Sequence, residues 1–161
     1  MKTYVLFITV VLNALSAGFF FSWSVSVILG TKKVSDFTYL ETMQHINREI
    51  LNPVFFIVFI GSLITLMITT FMYFNIKPIF WFVLASTIVY LIGTFGITAF
   101  GNVPLNNQLD ALDIAKLSTL ELKNFRGYYE RSWNYYHNIR TVSGLISFIL
   151  LLIATFIQKL F

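Results

Sequence analysis

The chain has no cysteine, which removes disulfides, thiolate metal sites, iron–sulfur clusters and cysteine nucleophiles from its chemistry. It is also poor in charge: Asp, Glu, Lys and Arg together make up 11% of its 161 residues, and only seven of these are acids. A formal net charge of +4 with acids interleaved among the bases does not make a nucleic-acid surface. Low-complexity tracts, Gly/Ser linkers and internal repeats are missing too, so one domain over residues 1–161 is the natural division.

What fills the chain is hydrocarbon. Hydrophobic residues reach 57%, with 18 phenylalanines, a balance foreign to soluble domains. A bilayer core about 30 Å thick needs roughly 20 apolar helical residues. The stretches 4–29, 53–74, 80–100 and 142–157 meet that need, the last extending to 161. They are too long for barrel strands, and helices satisfy their own backbone in lipid. The first is about twice the usual apolar length of a signal peptide and reads as a retained helix. Pro53 and Pro78 stand at helix starts, where a missing N–H costs little. The second and third spans therefore form a tight antiparallel hairpin.

All seven acids and both histidines fall in the two segments between spans 1 and 2 and between spans 3 and 4. Four spans place these two loops on one face. Lys and Arg number eight there, against Lys2, Lys77 and Lys159 on the other, so the loops are expected to be cytoplasmic. The expected setting is a bacterial inner membrane. Because no group within the spans ionises near neutral pH, a carrier or channel is disfavoured.

Within the spans, Asn13, Ser16, Ala17, Phe20 and Ser24 share one helical face, as do Ser86, Tyr90, Gly93, Thr94, Ile97 and Gly101. Small and hydroxyl residues let helices approach in lipid, so these faces are expected to meet, either in packing alone or to line a ligand cavity. Loop 1 reads as an amphipathic helix from a Ser35 or Asp36 cap to Leu51, with Leu40, Met43, Ile46, Ile50 and Leu51 inward. Asn47 falls inside that stripe and needs a hydrogen-bonding partner or a ligand. Loop 3 opens on 101–107, a run of amides around Pro104 that reads as a turn. Residues 119–141 then return to helical periodicity. On them Arg126, Tyr129, Glu130, Trp133, His137 and Arg140 share one face at spacings of three, four and seven.

Two chemistries suit these polar clusters. Glu41, His45, Glu130 and His137 could converge on iron, or His45 and His137 on haem. Alternatively a pocket binds a flat oxygenated aromatic: Trp133, Tyr129 and Tyr136 stack, Arg126 and Arg140 stabilise a phenolate or enolate, and Asn47, Asn102, Asn106 and Asn107 hydrogen-bond. Gln44 lies on the same loop 1 helix and joins this binding set. His137, titrating near neutrality, is the candidate base. The second reading needs no cofactor, and its partners are a hydrophobic small molecule and the bilayer. A non-enzymatic subunit that binds a protein partner or a second copy is the competing class.

Three separated motifs, 101–106, 43–47 followed by Asn52-Pro53, and Trp133 with 137–141, resemble those of a membrane family that includes the fungal anthrone oxygenases. The resemblance extends over the chain, including the aromatic, serine-rich stretch 18–24. It implies oxygen insertion at the central carbon of a polyketide anthrone, giving an anthraquinone, with no bound organic cofactor. The matching polar positions are Asn47, Asn102, Asn106, Trp133, His137 and Arg140. The order His137-Asn138 departs from some relatives, which place Asn first. The expected fold is all-α: a four-helix membrane bundle with a polar cap of amphipathic helices from loops 1 and 3.

Overall fold

The computed structural model describes residues 1–158; the extension of the last span to 161, and Lys159, lie outside the described residues. The described residues form five long helices, α1 (Lys2–Thr31), α2 (Asp36–Glu49), α3 (Pro53–Met72), α4 (Lys77–Asp110) and α5 (Thr119–Gln158), with a single 3-10 turn at Ile114–Lys116. All but α2 are long and apolar enough to cross a membrane. Among the described residues there is no strand. The architecture is a four-helix bundle with α2 laid against its end.

Local chemistry sets the boundaries. The Ser35 hydroxyl accepts from the Thr38 amide at 3.2 Å and starts α2, and the Asn52 side chain accepts from the Phe55 amide at 3.0 Å and starts α3. Pro53 and Pro78 occupy first-turn positions. Four residues, 73–76, join α3 to α4.

α1 packs against α3 and α5, and α4 against α5 and α3. Leu6, Phe20, Leu66, Val83, Tyr90 and Leu151 are nearly fully buried at its centre. Outward faces are apolar as well, with Phe7, Ile57, Phe71, Trp81 and Phe156 all exposed. Polar groups turn inward and pair across helices, as expected where lipid replaces water. Asn13 donates to Ser147 at 3.2 Å, Ser147 meets Ser86 at 2.8 Å, and Ser16 meets Tyr90 Oη at 2.8 Å. The small-residue faces of α1 and α4 thus meet through Ser16 and Tyr90, with Ser147 of α5 bridging Asn13 to Ser86.

The segment 101–107, expected to be a turn, is helical. α4 continues through a π-helical stretch, Thr98–Asn102, into the regular turns Val103–Asp110. Pro104 falls in the first turn after the π-helical stretch, where its missing N–H is tolerated. The Asn102 amide nitrogen and the Asn106 oxygen find partners on α5, so the helix need not unwind to satisfy them. In α2 the stripe is also shifted: Tyr39, Leu40 and Met43 are buried, whereas Leu51, beyond the helix, is 66% exposed.

A second core, of Tyr39, Leu40, Met43, Leu105, Leu109, Tyr129 and Trp133, joins α2, the end of α4 and the first half of α5. This is the cap. Because α5 is continuous through 40 residues, the cap and the bundle share one rod.

Candidate functional site

At the junction of cap and bundle, the face anticipated on α5 turns inward: Tyr129, Trp133, His137 and Arg140 are all buried. Arg140 is 7% exposed. Its guanidinium lies between two rings, with Cζ 4.5 Å from the Phe20 centroid and 4.9 Å from that of Trp133. Nε and one terminal nitrogen donate to His137 Nδ1 at 3.2 and 3.1 Å, and the other terminal nitrogen makes a long contact, 3.5 Å, with Thr98 Oγ1. The ion pairs among the described residues involve Arg48, Lys116 and Arg126, and none reaches Arg140. A buried cation without a carboxylate is costly to hold.

The tautomer of His137 follows from these contacts. A guanidinium only donates, so Nδ1 is the acceptor and the proton sits on Nε2. Nε2 faces Ser24 Oγ at 2.9 Å and Thr141 Oγ1 at 3.3 Å, and each hydroxyl sends its own proton to a backbone carbonyl, of Phe20 and of His137 respectively. Both can therefore accept. The imidazole stacks on Trp133 at 5.0 Å with planes 10° apart. In this arrangement His137 orients the guanidinium; its basic lone pair is already engaged. The role of general base expected from the sequence does not fit it.

A second network fixes the amides. Asn106 Oδ1 accepts from Trp133 Nε1 at 2.8 Å and from Tyr129 Oη at 3.2 Å, and Tyr129 Oη accepts from Asn47 Nδ2 at 3.0 Å. With its oxygen so occupied, Asn106 keeps an amide N–H₂ that has no partner among the described residues. In α2, burial pushes the Tyr39 phenol above its ordinary range, with Glu130 adding to the effect. Its ring lies under the Arg126 guanidinium, 4.6 Å away.

A cavity of about 80 Å³ touches Asn47, Asn106, Trp133, His137 and Arg140, closed on the bundle side by Phe20 and Thr98. The other expected site residues stand back from it. Gln44 donates to the Leu109 and Leu112 carbonyls at 2.7 and 3.0 Å, capping the end of α4. Arg126 bridges Asp36 and Glu130, both at 3.0 Å, and donates to the Val34 and Thr31 carbonyls at 2.8 and 3.3 Å. It clips α5 to the end of α1 and the start of α2. Asn102 donates to the Trp133 carbonyl at 3.1 Å. Gln44 and Arg126 thus spend their donors on the scaffold, as does the Asn102 amide nitrogen, while Asn102 Oδ1 is buried without a partner among the described residues.

The iron or haem reading does not fit this arrangement. His45 is exposed and lines a shallow groove with Glu49 and Asn52, whereas both ring nitrogens of buried His137 are hydrogen-bonded within the bundle. Among the described residues no three His, Asp or Glu side chains converge as a metal-holding group.

Ser24, Thr98, Phe20 and Phe55 belong to the site. The sequence placed Ser24 and Phe20 on a face read as helix packing or as the lining of a ligand cavity, and it gave no signal for Thr98 or Phe55. Two of the π-helical stretches, Trp23–Val27 and Thr98–Asn102, carry Ser24 and Thr98, and such widened turns often mark functional positions.

A family model described as anthrone oxygenase matches residues 54–150, more than half of the chain. The chain belongs to the anthrone oxygenase family. The matched stretch holds Asn102, Asn106, Tyr129, Trp133, His137 and Arg140, while Asn47 and the Phe20–Ser24 wall contributed by α1 lie before it. Comparison with the curated proteins and with the solved structures gave no match. Of the pair His137-Asn138, His137 is buried and meets Arg140, whereas Asn138 is exposed.

Proposed function

We propose that this family member is a membrane-embedded oxygenase that takes a hydrophobic phenol, or the enol of a ketone such as anthrone, as its anion and delivers it to dioxygen. The observation that carries the reading is Arg140: a buried cation with no carboxylate partner among the described residues, bordering a cavity. Such a group is balanced when an oxyanion arrives, and a low-dielectric site makes the interaction strong.

The chemistry needs little more. Loss of the hydroxyl proton to water gives a phenolate whose charge is shared with the para carbon, which attacks dioxygen. Arg140 and the Asn106 amide hold the oxygen, and Trp133 and Phe20 flank the ring. At that carbon a C–H becomes C=O; one oxygen atom stays in the product and the other leaves as water. A phenol thus gives a quinone, and anthrone, the keto form of a phenol, gives anthraquinone. Dioxygen and substrate both dissolve in the bilayer, and no organic cofactor is required. With loops 1 and 3 toward the cytoplasm, the water produced leaves on that side.

Oxygen uptake by protein in nanodiscs, with anthrone or a meta-alkylphenol added, tests the proposal. Incorporation of one atom of isotopically labelled dioxygen into the product, lost in Arg140→Met, is the expected result. A second reading, a non-enzymatic assembly subunit, draws on Tyr128 and Tyr135, exposed by 51% and 63% on the outer side of α5. It predicts a stoichiometric membrane partner on purification in mild detergent and no oxygen uptake.

A further inference from the structure

The cavity at Arg140 is too small to enclose a whole aromatic ring and takes only the oxygen-bearing edge of one. A space that takes benzene is about 150 Å³, and this one is about 80 Å³. It continues, however, into a larger apolar groove of about 260 Å³ between α1 and α3. Phe19, Phe20, Ile50 and Phe55 line both. Beyond them the groove runs along Leu15, Val54 and Val58, and Leu15 and Val54 are 54% and 72% exposed on the face that meets lipid. Its walls are aromatic: Phe55 stacks on Phe59 at 5.2 Å, and Phe19 lies 5.8 Å from Phe55. Its one polar side chain deep in the bundle, Ser16, is already paired with Tyr90.

We infer that the two spaces form one site with two compartments, and that its substrate class is a phenolic amphiphile with an extended hydrocarbon part, the oxyanion at Arg140 and the hydrocarbon in the α1–α3 groove. The inference rests on the reading of Arg140 given above and adds the shape of the molecule. Charge sets the direction. The uncompensated cation sits at the inner end, and the outer groove is apolar apart from Asn52, whose side chain is bonded to the Glu49 carbonyl and the Phe55 amide, so an amphiphile enters head first from the bilayer. The chain gains little by leaving lipid for the groove, since both are apolar. The groove therefore selects shape and lets the chain trail toward the membrane while the ring is held.

Meta-pentadecylphenol carrying an aliphatic diazirine midway along its chain tests this in nanodiscs. After photolysis, peptide mapping is expected to find adducts concentrated on Leu15, Val54 and Val58, reduced at least tenfold in Arg140→Met. Adducts spread over the lipid-facing residues of all four long helices, while the Arg140-dependent ultraviolet shift of bound phenolate persists, would overturn the two-compartment site and leave the oxygenase reading standing. Concentrated adducts that ignore Arg140→Met would remove the head assignment, and with it both readings. Val58→Trp, which fills the groove, supplies an independent measurement. With affinities expressed per mole of lipid, it is expected to lower the preference for meta-pentadecylphenol over meta-cresol at least tenfold; an unchanged ratio counts against the groove.

Discussion

Two nitrogens of the Arg140 guanidinium converge on a single acceptor, His137 Nδ1, at 3.2 and 3.1 Å. One turn of α5 separates the two residues, so the pair is built into a single helix and keeps its geometry whatever the cap does. It defines both the charge of the cavity and the protonation of the imidazole.

Removing the cation separates function from stability. Arg140→Met is expected to reduce turnover by about 100- to 1000-fold, the effect of losing an oxyanion donor. It should also leave the thermal midpoint in detergent unchanged or raised, because a buried, uncompensated charge is replaced by an apolar chain of similar length. Scanning fluorimetry beside oxygen uptake reads both. Parallel loss of the two would mean that Arg140 is structural.

If His137 positions rather than accepts a proton, an acceptor at the same place should rescue it. His137→Asn is expected to keep a substantial part of the activity and the wild-type pH profile, whereas His137→Ala loses tenfold or more. A general base would fail equally in both variants, and its titration would vanish from the profile of the residual rate.

Asn106 makes opposite demands on two substitutions. Asn106→Leu strands the Trp133 and Tyr129 donors, at about 1–3 kcal/mol for a buried unsatisfied group, and is expected to lower the thermal midpoint. Asn106→Asp preserves the acceptor and is expected to fold, but it places a carboxylate in the cavity that Arg140 borders. Phenolate binding, followed by its ultraviolet shift, should then drop by more than tenfold.

Helix approach rests on two glycines of α4. A Cβ on Gly101 would stand 2.7 Å from the Tyr136 ring, and one on Gly93 would collide with the Ser143 side chain. Gly101→Ala is expected to cost about 1–3 kcal/mol through overpacking. Gly127→Ala, with nothing within 4 Å of its new methyl group, should be neutral or stabilising by up to about 1 kcal/mol. Unfolding of the two variants in the same detergent compares them directly.

The spans and the α5 face could be read from the chain because each rests on a local regularity: long apolar runs, and residues three, four and seven apart. The Ser35 cap was legible for the same reason. The segment 101–107 was not, because amides and a proline signal a turn only when water is their partner, and here Trp133 and Tyr129 of α5 supply the partners instead. Gln44 and Arg126 had the right chemistry for a ligand, but nearby carbonyls and carboxylates claimed it. The role of His137 depended on where one neighbouring side chain points. The α1–α3 groove joins residues from Leu15 to Phe59 and depends on tertiary packing alone.

At about 1.5 Å per residue the 40 residues of α5 make a rod near 60 Å long, twice the hydrocarbon depth of a bilayer. Half of it must project from the membrane, and the projecting half carries Tyr129 and Trp133 against α2. Lipids of different thickness would tilt this lever and move its outer arm, so the width of the cavity beside Arg140 becomes coupled to the bilayer in which the protein sits.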